Sequence, residues 1–241
     1  MLIALEGIDG SGKGTQAQLL LERARQEGMS CELVSFPQYG NNAFAEAVAQ
    51  YLNGDFGDVY EVPSKLAALL FACDRFATRD KLAEAIGRND LVVCDRYVAS
   101  NIAYQAAKLD EHRWGEFIEW VLAVEFGQFS LPRPDLTLWL DVPLAFARKL
   151  LRRKGSRAQS SLFTGTGAYM SREADIHERN EAYLERCSMV YAKLASAEET
   201  GAWLRVDCVD ASGELRNPDD ITRELWDAVS AAIAHASAPR D

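Results

Sequence analysis

Five short apolar runs punctuate the chain, Leu2–Leu5, Glu32–Phe36, Leu91–Cys94, Leu136–Val142 and Trp203–Val206, and longer stretches of helical period separate them. Apolar residues within the runs are near-continuous rather than alternating, the pattern of strands covered on both faces. It predicts a five-stranded parallel sheet with helices packed above and below. Right-handed crossovers then bring every loop that follows a strand to one edge of the sheet. Two helices are marked by spacing and a start signal. Ile176, Tyr183, Leu184, Cys187, Val190, Tyr191 and Leu194 recur at helical period, and Ile221, Leu225, Trp226, Val229 and Ile233 do so behind Asn217–Pro218. Both are expected to face the core, and the Ala-rich tail after Ile233 is expected to fray.

The first apolar run leads directly into Glu6–Gly7–Ile8–Asp9–Gly10–Ser11–Gly12–Lys13–Gly14–Thr15, a strand, a glycine-rich turn and a helix start. Gly7, Gly12 and Lys13 match the spacing of a phosphate-binding P-loop, in which successive N–H groups point at one anion and the lysine adds a charge. Residues 7–15 are therefore assigned to ATP. Gly14 stands where Ser or Thr would give its hydroxyl to Mg²⁺. Thr15 is the nearest substitute, and the metal is expected to be held through water. A second signal is the strand-end sequence Cys94–Asp95–Arg96–Tyr97. Asp95 can hold the hydration shell of Mg²⁺ beside the P-loop, and Arg96 can form a fork to a phosphate.

Further candidates follow from spacing. Ser100, Asn101 and Tyr104 share one face of a predicted helix, where Asn101 can read an amide edge such as that of a pyrimidine. Phe71 and Arg75, four apart, offer a stacking surface and a donor to a base carbonyl, or else a packed ring with a snorkelling arginine. Phe36 and Tyr39 flank Pro37–Gln38 at the exit of the second strand, where they can wall an acceptor pocket or anchor an ordinary turn. Arg148, Lys149, Arg152, Arg153, Lys154 and Arg157 fall within ten residues without an acid, followed by an uncharged stretch from Ala158 to Ser171. A solvated helix face or a basic arm would carry such a run. A lid over phosphates accounts for more, because Ile8, Asp9, Gly10 and Ser11 include no basic residue; Arg153, Arg157 and Arg172 are its candidate catalytic arginines.

Composition bounds the reading. The 241 residues suit one α/β domain, and 26 Lys and Arg against 36 Asp and Glu give a formal charge of −10, which opposes general affinity for nucleic acid or anionic membrane. Cys31, Cys73, Cys94, Cys187 and Cys208 have neither CxxC nor zinc-ligand spacing and read as reduced core residues. With no basic leader and no apolar run near about 18 residues, a cytoplasmic protein is expected.

Together the P-loop, Phe36–Pro37–Gln38–Tyr39–Gly40, Phe71 to Arg75 and Asp95 to Tyr104 resemble the thymidylate kinase family of P-loop nucleoside monophosphate kinases, nearly end to end. The resemblance implies a single domain over 1–241 with a lid at about 148–178, and phosphoryl transfer from ATP to dTMP with Mg²⁺ as cofactor. It further implies that Phe71 stacks on thymine, Arg75 and Asn101 bond its edge, and Tyr104 crowds the 2′ position. Asp9 would face the acceptor sugar and phosphate, Tyr39 and Arg96 would bind that phosphate, and Lys13 would bridge toward the donor. Asp175 and Glu178 correspond to an acidic pair at the lid exit, and a homodimer is implied. Another nucleotide or deoxynucleoside kinase on this scaffold, or a non-catalytic nucleotide sensor, are the competing readings.

Overall fold

The computed structural model describes residues 1–157, 181–197 and 200–237. Its five strands are β1 (Leu2–Glu6), β2 (Cys31–Ser35), β3 (Leu91–Asp95), β4 (Leu136–Asp141) and β5 (Trp203–Asp207), all parallel, in the order β2-β3-β1-β4-β5. The strands predicted from apolar continuity fall within a residue of these bounds. Ile3 lies opposite Val93 on one side and Leu136 on the other, so β1 is the middle strand and every one of its residues is buried. The two edge strands are only partly covered, which is why β2 admits Glu32 and β5 admits Arg205.

The helices are α1 (Lys13–Gln26), α2 (Ala43–Asn53), α3 (Ser64–Arg88), α4 (Val98–Ala106), α5 (Trp114–Leu122), α6 (Leu144–Arg157), α7 (Glu181–Ala195) and α8 (Pro218–Ser237). In α7, Tyr183, Leu184, Cys187, Val190, Tyr191 and Leu194 are all buried, as their period predicts; Ile176 lies outside the described residues. In α8 the helix continues through the Ala-rich tail to Ser237 instead of ending at Ile233, consistent with alanine's high intrinsic helix propensity. Cys94, Cys187 and Cys208 are buried free thiols, whereas Cys31 and Cys73 are half-buried rather than in the core.

β1 and β3 end side by side, with Leu5 opposite Asp95, and their following loops lead into α1 and α4. This is the sheet edge at which open α/β sheets bind ligands. The loop after β1 is packed on the start of α6. A Cβ placed on Gly10, whose φ is +83°, would stand 2.2 Å from the Ala147 carbonyl oxygen and 2.8 Å from Leu151 Cγ. Gly28, at φ +77° beyond α1, has open space around it. Gly28→Ala should therefore cost only left-handed strain, about 1–2 kcal/mol. Gly10→Ala adds an overlap with backbone and is expected to cost at least about 2 kcal/mol more, read as the difference between the two variants' chemical-denaturation midpoints.

Candidate active site

Gly12 ends the glycine-rich loop in the left-handed region, φ +88°, and stands at the N-cap of α1 with no side chain satisfying the first amide groups of the helix. Those N–H groups and the helix dipole make a ready anion site. Lys13 is folded back over the loop, donating to Gly7 O at 3.0 Å, Ile8 O at 2.9 Å and Ser11 Oγ at 3.4 Å. Burial, and then the neighbouring Arg96, lower its pKa to about 8. Thr15 is exposed on the first turn, and the Asp95 carboxylate borders the same turn, with Oδ2 3.6 Å from where a Gly14 Cβ would be.

Arg96 follows β3 with φ +66°, a left-handed conformation that costs a non-glycine residue about 1–3 kcal/mol and marks a constrained site. The turn aims its guanidinium back at the P-loop: Nη2 is ion-paired with Asp9, Nη1 donates to Ser100 Oγ at 3.2 Å and Gly7 O at 3.4 Å, and the group lies 5.2 Å from the centre of the Tyr104 ring. Tyr104 closes the circuit by donating its hydroxyl to Asp9 Oδ2 at 2.5 Å and accepting from the Asp9 amide at 3.0 Å. Burial opposes the Arg96 charge, yet Asp9 and its other anionic neighbours outweigh that and hold its pKa well above the ordinary value. Asp9, Arg96 and Tyr104, chosen from separate motifs, thus form one cluster beside Lys13.

A second cluster lies between α3, α4 and a π-helical turn, Ala123–Gln128. Arg75, 3% exposed, donates from Nε to Glu125 Oε2 at 2.5 Å and from Nη2 to Oε1 at 2.7 Å. Asn101 donates from Nδ2 to the same Glu125 Oε1 at 2.7 Å and to Ala68 O at 2.9 Å, while its Oδ1 is buried without a hydrogen-bond partner among the described residues. Phe71, half-buried, meets Tyr51 edge-on at 5.9 Å between ring centres.

The other candidates are more scattered. Phe36 is 5% exposed and sits in the core 5.8 Å from the Tyr97 ring, at the cis Phe36–Pro37 bond. Tyr39, three residues after Phe36, is half-buried. Ser100 is committed to support, donating from Oγ to Glu6 Oε2 at 2.5 Å. Arg153 and Arg157 ride on α6, their side chains outside the described residues, and Arg172, Asp175 and Glu178 lie outside them altogether.

Three residues were absent from the sequence reading of the site. Glu6, fully buried, accepts from the Tyr97 amide at 2.8 Å, from the Ser100 amide at 3.2 Å and from Tyr191 Oη at 3.1 Å. Asp74, 1% exposed, accepts from the Gln38 amide at 3.0 Å and Asn42 Nδ2 at 2.7 Å, pinning the Pro37–Gly40 loop to α3. Glu125 is the third, a lone carboxylate inside the apolar run Val121–Phe126, and that isolation is the signal by which it could have been found.

Lys13 generates a pH prediction. Its ammonium is destabilised in the free protein, and a bound polyphosphate would favour it, so binding takes up protons between about pH 8 and the higher pKa of the complex. ATP affinity should fall as pH rises above about 8, and calorimetry in buffers of different ionisation enthalpy should detect the proton uptake. In Lys13→Met the uptake should vanish.

Comparison with known proteins gives this arrangement a family. The family model described as thymidylate kinase matches residues 5–207. The thymidylate kinase of Mycobacterium tuberculosis (strain ATCC 25618 / H37Rv) is 36% identical over 215 residues, covering 89% of this chain and 95% of the relative. That of Synechococcus sp. (strain JA-2-3B'a(2-13)) is 30% identical across 100% of both chains. The solved structure of thymidylate kinase from Candida albicans has the same fold, with a TM-score of 0.66 at 23% identity over 95% of this chain and 91% of that one. Matched along most of its length by the family model and by relatives at 30% identity or more, this chain belongs to the thymidylate kinase family.

Proposed function

We propose that the chain transfers the γ-phosphoryl group of ATP to dTMP, giving dTDP and ADP for the synthesis of dTTP. The observation that carries this reading is Asn101 Oδ1, a buried acceptor with no partner among the described residues, next to the buried donors of Arg75. Leaving a buried amide oxygen unpaired costs about 1–3 kcal/mol, and a base edge with N3–H beside a carbonyl would satisfy it. Phe71 then stacks on the base, and Tyr104, between Arg96 and Asp9, crowds the sugar 2′ position.

Phosphoryl transfer is catalysed by positioning and charge rather than by covalent chemistry. The first amides of α1 receive the donor phosphates, and Lys13 exchanges the carbonyls of Gly7 and Ile8 for phosphate oxygens. Arg96, with Tyr39, receives the acceptor phosphate, whose negative charge replaces Asp9 as its counterion. Arg153, Arg157 and Arg172 belong to the lid, at about 148–178, that supplies the remaining positive charge.

Among the described residues no three or more His, Cys, Asp or Glu are grouped to hold a metal. Asp95 beside Gly14, with Thr15 on the same turn, fits Mg²⁺ carried mainly by water and phosphate oxygens. When bound, the ion neutralises charge on the transferring phosphates.

A homodimer is also proposed. Leu66, Leu69 and Phe76 are 62%, 38% and 41% exposed on α3, and with half-buried Cys73 they fall at helical spacing along one stripe. Self-association would cover that stripe. No described helix is long and apolar enough to cross a membrane, and the cytoplasm is the proposed location.

Coupled ADP release with ATP and Mg²⁺, offering dTMP, dUMP, UMP, CMP, AMP and thymidine separately, should give the highest kcat/KM with dTMP. Best turnover of thymidine would make the protein a nucleoside kinase, and ATP binding without acceptor-dependent turnover would make it a nucleotide sensor. Arg96→Ala should lower kcat/KM for dTMP by about 10³-fold while the KM for ATP changes only a few-fold. Sedimentation velocity should find a dimer that Leu69→Glu converts to monomer.

A further inference from the structure

Glu125 touches neither the P-loop nor the Asp9–Arg96–Tyr104 cluster, yet it is fully buried and takes three charge-assisted or amide hydrogen bonds from the two residues assigned to the base. It lies on a π-helical turn, an arrangement that carries an energetic cost and recurs at functional positions. We infer that Glu125 is the positioning residue that sets base specificity, by fixing which hydrogen-bonding atom Asn101 and Arg75 present to the acceptor base. This inference rests on the proposal that the acceptor is dTMP.

An asparagine such as Asn101 offers a donor end and an acceptor end, and rotating the amide by half a turn exchanges them. Here one end faces two groups that only accept, Ala68 O at 2.9 Å and Glu125 Oε1 at 2.7 Å. That end must be the NH₂, so Oδ1 is the atom left over. An acceptor is complementary to the N3–H of thymine and repels the N3 lone pair of cytosine.

The same carboxylate orients Arg75. With Nε and Nη2 both directed at Glu125, the guanidinium is held by a fork and its remaining edge, at Nη1, can only donate. A donor is complementary to the thymine O4 carbonyl and repels the cytosine 4-amino group. Glu125, together with Ala68 O at the amide, therefore holds in place a donor–acceptor pair that matches the thymine edge, and cytosine presents the inverse at both positions. Rejection arises from two unpaired buried polar groups together, which discriminates far more strongly than a shape mismatch.

Glu125→Gln tests this because a glutamine amide has one acceptor oxygen where the carboxylate has two, so it cannot receive all three donors of Arg75 and Asn101 and no longer holds the pair in one orientation. Wild type should prefer dTMP to dCMP strongly. In Glu125→Gln the dTMP-to-dCMP ratio of kcat/KM should shrink at least tenfold, mostly through the KM of the acceptor, while the KM for ATP is unchanged. Glu125→Asp keeps a buried countercharge for Arg75 but withdraws the carboxylate by one methylene, so it guards against a variant that does not fold. Its ratio should fall between wild type and Glu125→Gln. If either folded variant loses both activities in proportion, with the ratio unchanged, Glu125 is merely structural and the inference is overturned. If wild type itself does not prefer dTMP, the acceptor assignment fails and the inference falls with it, an outcome distinct from failure in the variants alone.

Discussion

Glu6 is a carboxylate without solvent exposure at the C-terminal end of the middle strand, and leaving such a charge uncompensated would cost several kcal/mol. Burial pushes its pKa up, opposed by donors that converge from two helices: the Ser100 hydroxyl and amide, the Tyr97 amide and Tyr191 Oη. Satisfying that one group therefore dictates where α4 begins and how α7 lies across the strand. Tyr191 is itself fixed by stacking on Trp139 of β4, at 6.0 Å and 20° between planes. The consequence for the site is indirect but strong. Ser100 Oγ, bound to Glu6, also accepts from Arg96, so the guanidinium at the end of β3 is oriented by the charge at the end of β1.

The chain carries a formal charge of −10, and its phosphate end sets Lys13 and Arg96 among the carboxylates of Glu6, Asp9 and Asp95. Each of those cations already has an anionic or carbonyl partner: Arg96 has Asp9, and Lys13 has the oxygens of Gly7, Ile8 and Ser11. A phosphate does not meet a bare charge here; it substitutes one oxygen set for another. Such exchanges conserve hydrogen bonds and avoid the full desolvation penalty of a naked buried ammonium, which keeps the free protein foldable at the cost of part of the gross binding energy. The lowered pKa of Lys13 reports that compromise, because loop carbonyls compensate an ammonium less well than phosphate would.

The sheet was legible because β1, β3 and β4 are covered on both faces, so their sequences read as unbroken apolar runs whatever the tertiary detail. The P-loop and the Asp95–Arg96 strand end were legible for a different reason, since each is a local motif whose chemistry follows from spacing. Glu125 was not. Its isolation in the apolar run Val121–Phe126 marks it as unusual, but its partners lie 50 and 24 residues away and nothing in the adjacent sequence names them. Asp74 escaped in the same way, because its role depends on the loop 32–36 residues before it. Phe36 and Ser100 were visible as residues near the right edge, but whether a side chain faces the crevice or the interior depends on packing that adjacent sequence does not encode. At Phe36 the Tyr97 ring takes that place, and at Ser100 the Glu6 carboxylate does.

The two ends of the site are consequently built on opposite principles. At the phosphate end Arg96 and Asp9 keep 20% and 18% of their side-chain surface exposed, and their mutual bond is one that an incoming anion can replace. At the base end Arg75 and Glu125 are 3% and 0% exposed, and Asn101 is anchored at its nitrogen by two acceptors. Rearranging that trio would strand a buried charge, so it holds its donors and acceptors in place before any ligand arrives. Phosphates are common to every nucleotide, and recognising them by exchangeable pairs carries no information about the base. Discrimination has to come from groups that cannot adapt to the wrong partner, and among the described residues Arg75 and Asn101, which Glu125 holds, are buried and pre-oriented in that way.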